Sequence, residues 1–144
     1  MNNMRKLGLD YGDSRIGVAI TDSLGITAQG LETIHHNGND KVALKRLEEI
    51  FNEYDIDTIV IGMPINMDGS KTNRVEVTNK FIHKLKCKFS KIPIEQVDER
   101  LTTVAAHKTM NYLNINKNEK RNIVDTISAV YILETYMNKL KNEN

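Results

Sequence analysis

The chain has 144 residues, 40% of them apolar, with 20 Lys and Arg against 19 Asp and Glu for a formal charge of +1. That length is simplest as one domain over residues 1–144 with a buried core, and the balanced composition excludes a mainly disordered chain. The single Cys87 excludes an intrachain disulfide and a thiolate metal cluster, while no apolar run approaches a membrane span or a signal peptide's core, so a cytoplasmic protein with no membrane role is expected.

Arg5 to Tyr11 alternates as a strand, with Leu7, Leu9 and Tyr11 on one face and Gly8 and Asp10 on the other. Gly12-Asp13 makes a turn into a second strand, Ile16 to Thr21, and Gly25 turns into a third, roughly Ile26 to Ile34. Such short turns predict an antiparallel meander. Asp40 is placed to cap a helix whose Ala43, Leu47, Ile50, Phe51 and Tyr54 recur at helical spacing.

Thr58 to Ile61 reads as a strand buried on both faces, ended by Pro64 and Asp68-Gly69. Ser70 is a candidate cap for a helix carrying Val75, Thr78, Phe81, Ile82 and Leu85. Ile92 to Val97 is a further strand, Thr102 or Thr103 can start another helix, Asn114 to Asn118 reads as a loop, and a last helix spans about Glu119 to Leu140. The order βββαβαβαα gives an α/β fold: a mixed five-stranded sheet flanked by helices, the plan of the ribonuclease H-like fold.

Three carboxylates stand where a solvated charge would be unusual. Asp10 lies in an apolar strand, Glu99 at a strand end, and Asp125 in an apolar helix. A charge at such a place costs several kcal/mol unless it is paired or metal-bound. Three acids from distant parts of a chain are what a divalent-metal phosphodiester site requires. Gly8 leaves room beside Asp10, and small Ser128 and Ala129 flank Asp125 and let its helix approach the sheet.

Each acid also has a structural reading: an Asp10–Arg15 ion pair, or helix-terminus charges at Asp98, Glu99 and Asp125. Alternation puts Asp98 and Glu99 on opposite faces, which favours Glu99 as the ligand and leaves Asp98 to orient Arg100 or cap the next helix. The segment Ile59 to Ser70 joins a strand to a helix start, where backbone N–H groups can hold a phosphate and Asn66 can reach a sugar or phosphate. The lysines at 80, 84, 86, 88 and 91, and Lys117, Lys120 and Arg121, read as solvated helix faces or as a track for a phosphate backbone. His35, His36, His83 and His107 show no ligand spacing and are expected to be surface or packing residues.

Taken together, LDYGDSRIGVAITD, IGMPINMDGS, VDERLTT and VDTISAVYIL, in that order and spacing, resemble the YqgF/RuvX family over Lys6 to about Tyr136. The resemblance implies a nuclease, either of pre-16S ribosomal RNA ends or a Holliday junction resolvase. It also implies Asp10, Glu99 and Asp125 as catalytic, metal-holding acids. Mg²⁺ or Mn²⁺ would be the cofactor, and Arg15, Asn66, Arg100 and Arg121 would contact substrate. Related resolvases show four acids, and Asp98 is the candidate fourth here. The expected partners are nucleic acid (an rRNA precursor or branched DNA) and ribosomal particles, for a monomer or homodimer. Two rivals remain at this point. One is a non-catalytic nucleic-acid-binding transcription or ribosome-assembly factor. The other is an actin-like ATP-binding domain, disfavoured because that architecture needs two such domains.

Overall fold

Alternation along the first strand decides the layering. In the computed structural model, which describes residues 4–64, 73–99 and 117–143 (for 117–122 and 143, the backbone), β1 (Arg5–Tyr11) sends Leu7, Leu9 and Tyr11 to one face. Gly8 and Asp10 take the other. Around it, β2 (Arg15–Thr21), β3 (Ala28–His35), β4 (Ile56–Met63) and β5 (Ile94–Asp98) form one five-stranded sheet in the order β3-β2-β1-β4-β5. The β1–β2 and β2–β3 pairs are antiparallel, while β1–β4 and β4–β5 are parallel. The meander and the two crossover-linked strands are therefore as the sequence predicts.

On one face lie α1 (Asp40–Glu53) and α2 (Asn73–Lys88). Their Ala43, Leu47, Ile50, Val75, Phe81, Ile82 and Leu85 pack on Leu7, Leu9, Ile16, Val18, Ile59 and Ile61. On the opposite face a single long helix, α3 (Lys117–Glu143), crosses every strand. Its Ala129, Ile132, Leu133 and Met137 form a second core with Ala19, Val60 and Val97. Both faces of β4 are thus covered, the environment that its apolar run implied. No helix among the described residues is long and apolar enough to cross a membrane.

Several boundaries differ from the sequence expectation. β3 begins at Ala28 rather than Ile26, because the Asp22 carboxylate accepts from the Ile26 amide at 2.8 Å and holds the chain in a turn there. α1 is capped by Asn39, whose side chain accepts from Lys41 N at 3.1 Å. Asp40 instead accepts from the Tyr11 hydroxyl at 2.7 Å and from Lys84 at 2.9 Å. α3 already includes Lys117 and Asn118, two positions assigned by sequence to a loop. The candidate cap Ser70, the Asp68-Gly69 break and the helix expected from Thr102 or Thr103 lie outside the described residues.

What lets α3 sit so low is a floor of glycines. A Cβ added at Gly17 would collide with the Asp125 carbonyl, and one at Gly8 would stand 2.8 Å from the Ala129 carbonyl. At Gly62 it would meet the Ile132 side chain at 2.6 Å. The space beside Asp10 that Gly8 was expected to leave open is therefore filled by helix backbone.

Gly17→Ala should cost about 3 kcal/mol or more, because the obstruction is main chain and cannot turn aside. Gly30→Ala, whose Cβ would meet only Thr126 Cβ at 3.1 Å, should stay within about 1 kcal/mol of wild type. Urea unfolding followed by circular dichroism measures both, and equal losses would contradict the close seating of α3 over Gly17.

Candidate metal centre

Asp10 is the sixth of the seven residues of β1, opposite Gly17 of β2 and one step beyond the Leu9–Ile61 pairing with β4. It points to the α3 side, in the central strand of the sheet. Glu99 reaches the same place from β5. Val97 packs in the α3 core, so Asp98, paired with Met63, takes the opposite face and Glu99 returns to the α3 side. A Cβ at Gly62 would lie 3.4 Å from Glu99 Cγ, which places Glu99 over the strand beside Asp10.

A hydrogen bond joins the Asp10 and Glu99 carboxyls. Burial pushes the Asp10 carboxyl well above the usual carboxylate range. The hydrogen bond to Glu99 and the negative charges of Glu99 and Asp125 push the same way, and Arg74 opposes them. This is the electrostatic mark of acids crowded together.

Asp125 completes the group from α3, but it is turned to a protein cation. Arg15 Nε donates to Asp125 Oδ2 at 2.6 Å, with the Asp125 side chain 16% exposed. The Asp10–Arg15 pair of the structural reading is thus replaced by an Asp125–Arg15 pair. Among the described residues, no three Asp, Glu, His or Cys side chains already form a preassembled cation cage. The donor set nevertheless suits a hard divalent cation. It consists of carboxylate oxygens alone, and a cation would offset the burial and mutual repulsion that push the Asp10 carboxyl upward.

Two residues missed by the sequence reading support the site. Arg74, in the first turn of α2, acts electrostatically on Asp10. The available signal was its place in the helix that follows β4, the strand beside β1. His36, expected to be a surface or packing residue, is buried, with its Nδ1 accepting from the Gly38 amide at 3.1 Å. That bond leaves Nε2 to donate to the Gly12 carbonyl at 2.9 Å. Ser14 O accepts from the amides of His36 and Asn37 at 3.0 and 3.1 Å. The turn joining Asp10 to Arg15 is thereby clamped, and Tyr11 stacks between His36 and Phe81 beneath it.

Asn66 and Arg100 lie outside the described residues, and Arg121 falls within α3 at a position whose side chain is outside the description. The α2 lysines are exposed, and two of them are tied to α1: Lys84 to Asp40 and Lys88 to Glu48, each at 2.9 Å.

Comparison with known proteins gives a consistent pattern. A family model described as RuvX, Holliday junction resolvase, matches residues 4–139. A relative from Ruminiclostridium cellulolyticum is 55% identical over 95% of this chain and 96% of its own length. Another from Acetivibrio thermocellus is 51% identical over 93% and 95%. Both carry the provisional name pre-16S rRNA nuclease. Among solved structures, the fowlpox virus Holliday junction resolvase matches with a TM-score of 0.59 at 14% identity, covering 95% of this chain and 99% of that one. Thermus thermophilus RuvC in complex with a Holliday junction matches at 0.57 and 10% identity, over 95% and 96%. At such identities the likeness is one of fold, and it supports the ribonuclease H-like plan.

A raised Asp10 value has a definite consequence for stability. The folded chain holds this proton more tightly than the unfolded chain, whose carboxyl titrates near about 3.9. Stability is therefore lost as pH rises from there through the raised folded value. Asp10→Asn should raise the thermal midpoint at pH 7 by a few degrees, and the advantage should disappear below about pH 4. Thermal melts of both proteins across pH 3–8 would check this; an Asp10→Asn protein less stable than wild type at pH 7 would contradict the crowding of acids.

Proposed function

The chain belongs to the RuvX family, and from that membership and the acidic centre we propose that it is a divalent-metal-dependent endonuclease that trims the 5′ end of pre-16S ribosomal RNA. The observation that carries this reading is the hydrogen-bonded Asp10–Glu99 pair facing Asp125 on the central strand. Asp10, Glu99 and Asp125 are the residues that would hold Mg²⁺ or Mn²⁺. When bound, the metal would supply Lewis-acid charge at the scissile phosphate and activate a water.

The chain's own residues define what surrounds that chemistry. Asp10, on the central strand, is paired with Gly17 of β2 and lies one step beyond the Leu9–Ile61 pairing with β4, and it is suited to the most central ligand position. Asp10 would ligate as a carboxylate and its titration is shifted upward, so metal affinity falls in acid. Arg15 keeps Asp125 neutralised in the absence of metal, and its guanidinium becomes available to a phosphate once Asp125 turns to a cation. Arg74 brings a second positive charge to the same rim. Asn66, Arg100 and Arg121 are proposed as further substrate contacts from their sequence positions, between β4 and α2, next to Glu99 and just before Asp125.

A second reading, cleavage of four-way DNA junctions, is favoured by the family's description and by the resolvase folds that this chain resembles. Parallel assays on a precursor 16S rRNA fragment and a synthetic four-way DNA junction, each with Mg²⁺ or Mn²⁺, separate the two. Preference for the RNA is expected.

Asp10→Asn and Glu99→Gln should each lower metal-dependent cleavage by at least about 100-fold, the scale of losing one transition-state electrostatic contact. Wild-type rates in both variants would sink the metal-nuclease reading and leave a non-catalytic binding protein. Arg15→Ala should flatten the log–log salt dependence of nucleic-acid binding by about one unit. An unchanged slope with lowered stability would restrict Arg15 to its pairing with Asp125.

A further inference from the structure

Hydroxyl side chains inside helices commonly satisfy themselves on the preceding turn. Thr126 Oγ1 donates to the Ile123 carbonyl at 3.0 Å, Thr135 Oγ1 to Tyr131 at 2.7 Å, and Thr78 Oγ1 on α2 to Arg74 at 2.8 Å. Ser128, in the same helix as the first two, does not. It is 1% exposed, and its Oγ is the one buried side-chain polar atom among the described residues with no hydrogen-bond partner. A buried, unpaired hydroxyl costs about 1–3 kcal/mol. Alanine would avoid that cost and favours the helix more.

The position of Ser128 indicates what the hydroxyl is for. α3 touches the sheet over Gly17 through the Asp125 carbonyl and over Gly62 through Ile132. Asp10 lies in the strand between these two glycines, paired with Gly17. Ser128 follows Asp125 by three residues and precedes Ile132 by four, so it shares their helix face and stands between their contacts. It is therefore on the side of α3 that covers the acidic centre.

We propose that Ser128 is a positioning residue of the metal centre, its hydroxyl hydrogen-bonding to a water in the hydration shell of the cation held by Asp10 and Glu99. This rests on the metal-nuclease reading and adds to it a neutral hydrogen-bonding group from α3. It also gives the buried hydroxyl a partner in the state that works on substrate. Groups that orient the surroundings of a metal in this way change its affinity by about 10–100-fold when removed.

The test uses the full chain with Mn²⁺ as probe. Binding is followed by titration calorimetry, and stability without metal by thermal melts. Ser128→Ala and Ser128→Cys, which differ in volume but both lack the hydroxyl, should melt no lower than wild type without metal and bind Mn²⁺ about 10-fold or more weakly. Wild-type affinity in both variants would overturn the proposal, as would a metal-free destabilisation with unchanged affinity, which would mean that the hydroxyl has a purely structural role. Asp10→Asn serves as the control. If wild type and Asp10→Asn bind Mn²⁺ alike, the metal centre itself is wrong and Ser128 falls with it. If only Asp10→Asn loses binding, the centre stands and the role of Ser128 alone is rejected.

Discussion

The close seating of α3 on the sheet is the constraint from which the rest of the site follows. Ordinary side chains at the contact would hold a helix off the sheet and keep its main chain from the strands. Here Gly8, Gly17 and Gly62 remove the side chains that would hold the helix off, and Ala129 and Ser128 do the same from the helix side. The Asp125 main chain comes down onto β2 directly opposite Asp10, and the Asp125 carboxylate enters the field of the Asp10–Glu99 pair. One packing decision thus sets fold and chemistry together.

That arrangement is electrostatically unfavourable without a counter-charge, and the chain supplies two. Arg15 binds Asp125 and Arg74 acts on Asp10, one from the start of β2 and one from the start of α2. Under the proposed function, both guanidiniums are available to the phosphates of the substrate. The same groups therefore stabilise the metal-free protein and suit a polyanionic substrate, which links the resting fold to the proposed reaction. His36 bonds to the turn between Asp10 and Arg15 and stacks on Tyr11, which ties that turn to the core.

Much of this was legible from sequence because it follows from periodicity. Alternation in LGLDY separated Leu7, Leu9 and Tyr11 from Asp10, and alternation put Asp98 and Glu99 on opposite faces, of which the packing of Val97 gives Glu99 the α3 side. The apolar run around Ile59 to Ile61 announced a strand covered on both faces. Pairwise partners were less visible, because they depend on how separate elements meet. Nothing in the local sequence says that Arg15 reaches Asp125 rather than Asp10, that His36 clamps Gly12, or that Arg74 faces the acidic centre. Gly8 was recognised as a small residue beside Asp10, but its neighbour could be known only once α3 was placed over it. The N-cap at Asn39 was missed by one residue for a related reason: Asp40 is the better-charged candidate, yet it is drawn away by Tyr11 and Lys84.

The central claim is that Asp10, Glu99 and Asp125 form a cation-binding centre. Crystals of the protein soaked in Mn²⁺ and measured at the manganese absorption edge test it most directly. The account predicts an anomalous peak about 2.1 Å from carboxylate oxygens of Asp10 and Glu99, with Asp125 turned from Arg15 toward the ion. An anomalous map with Mn²⁺ bound only elsewhere on the chain, and the Asp125–Arg15 pair intact, would contradict it.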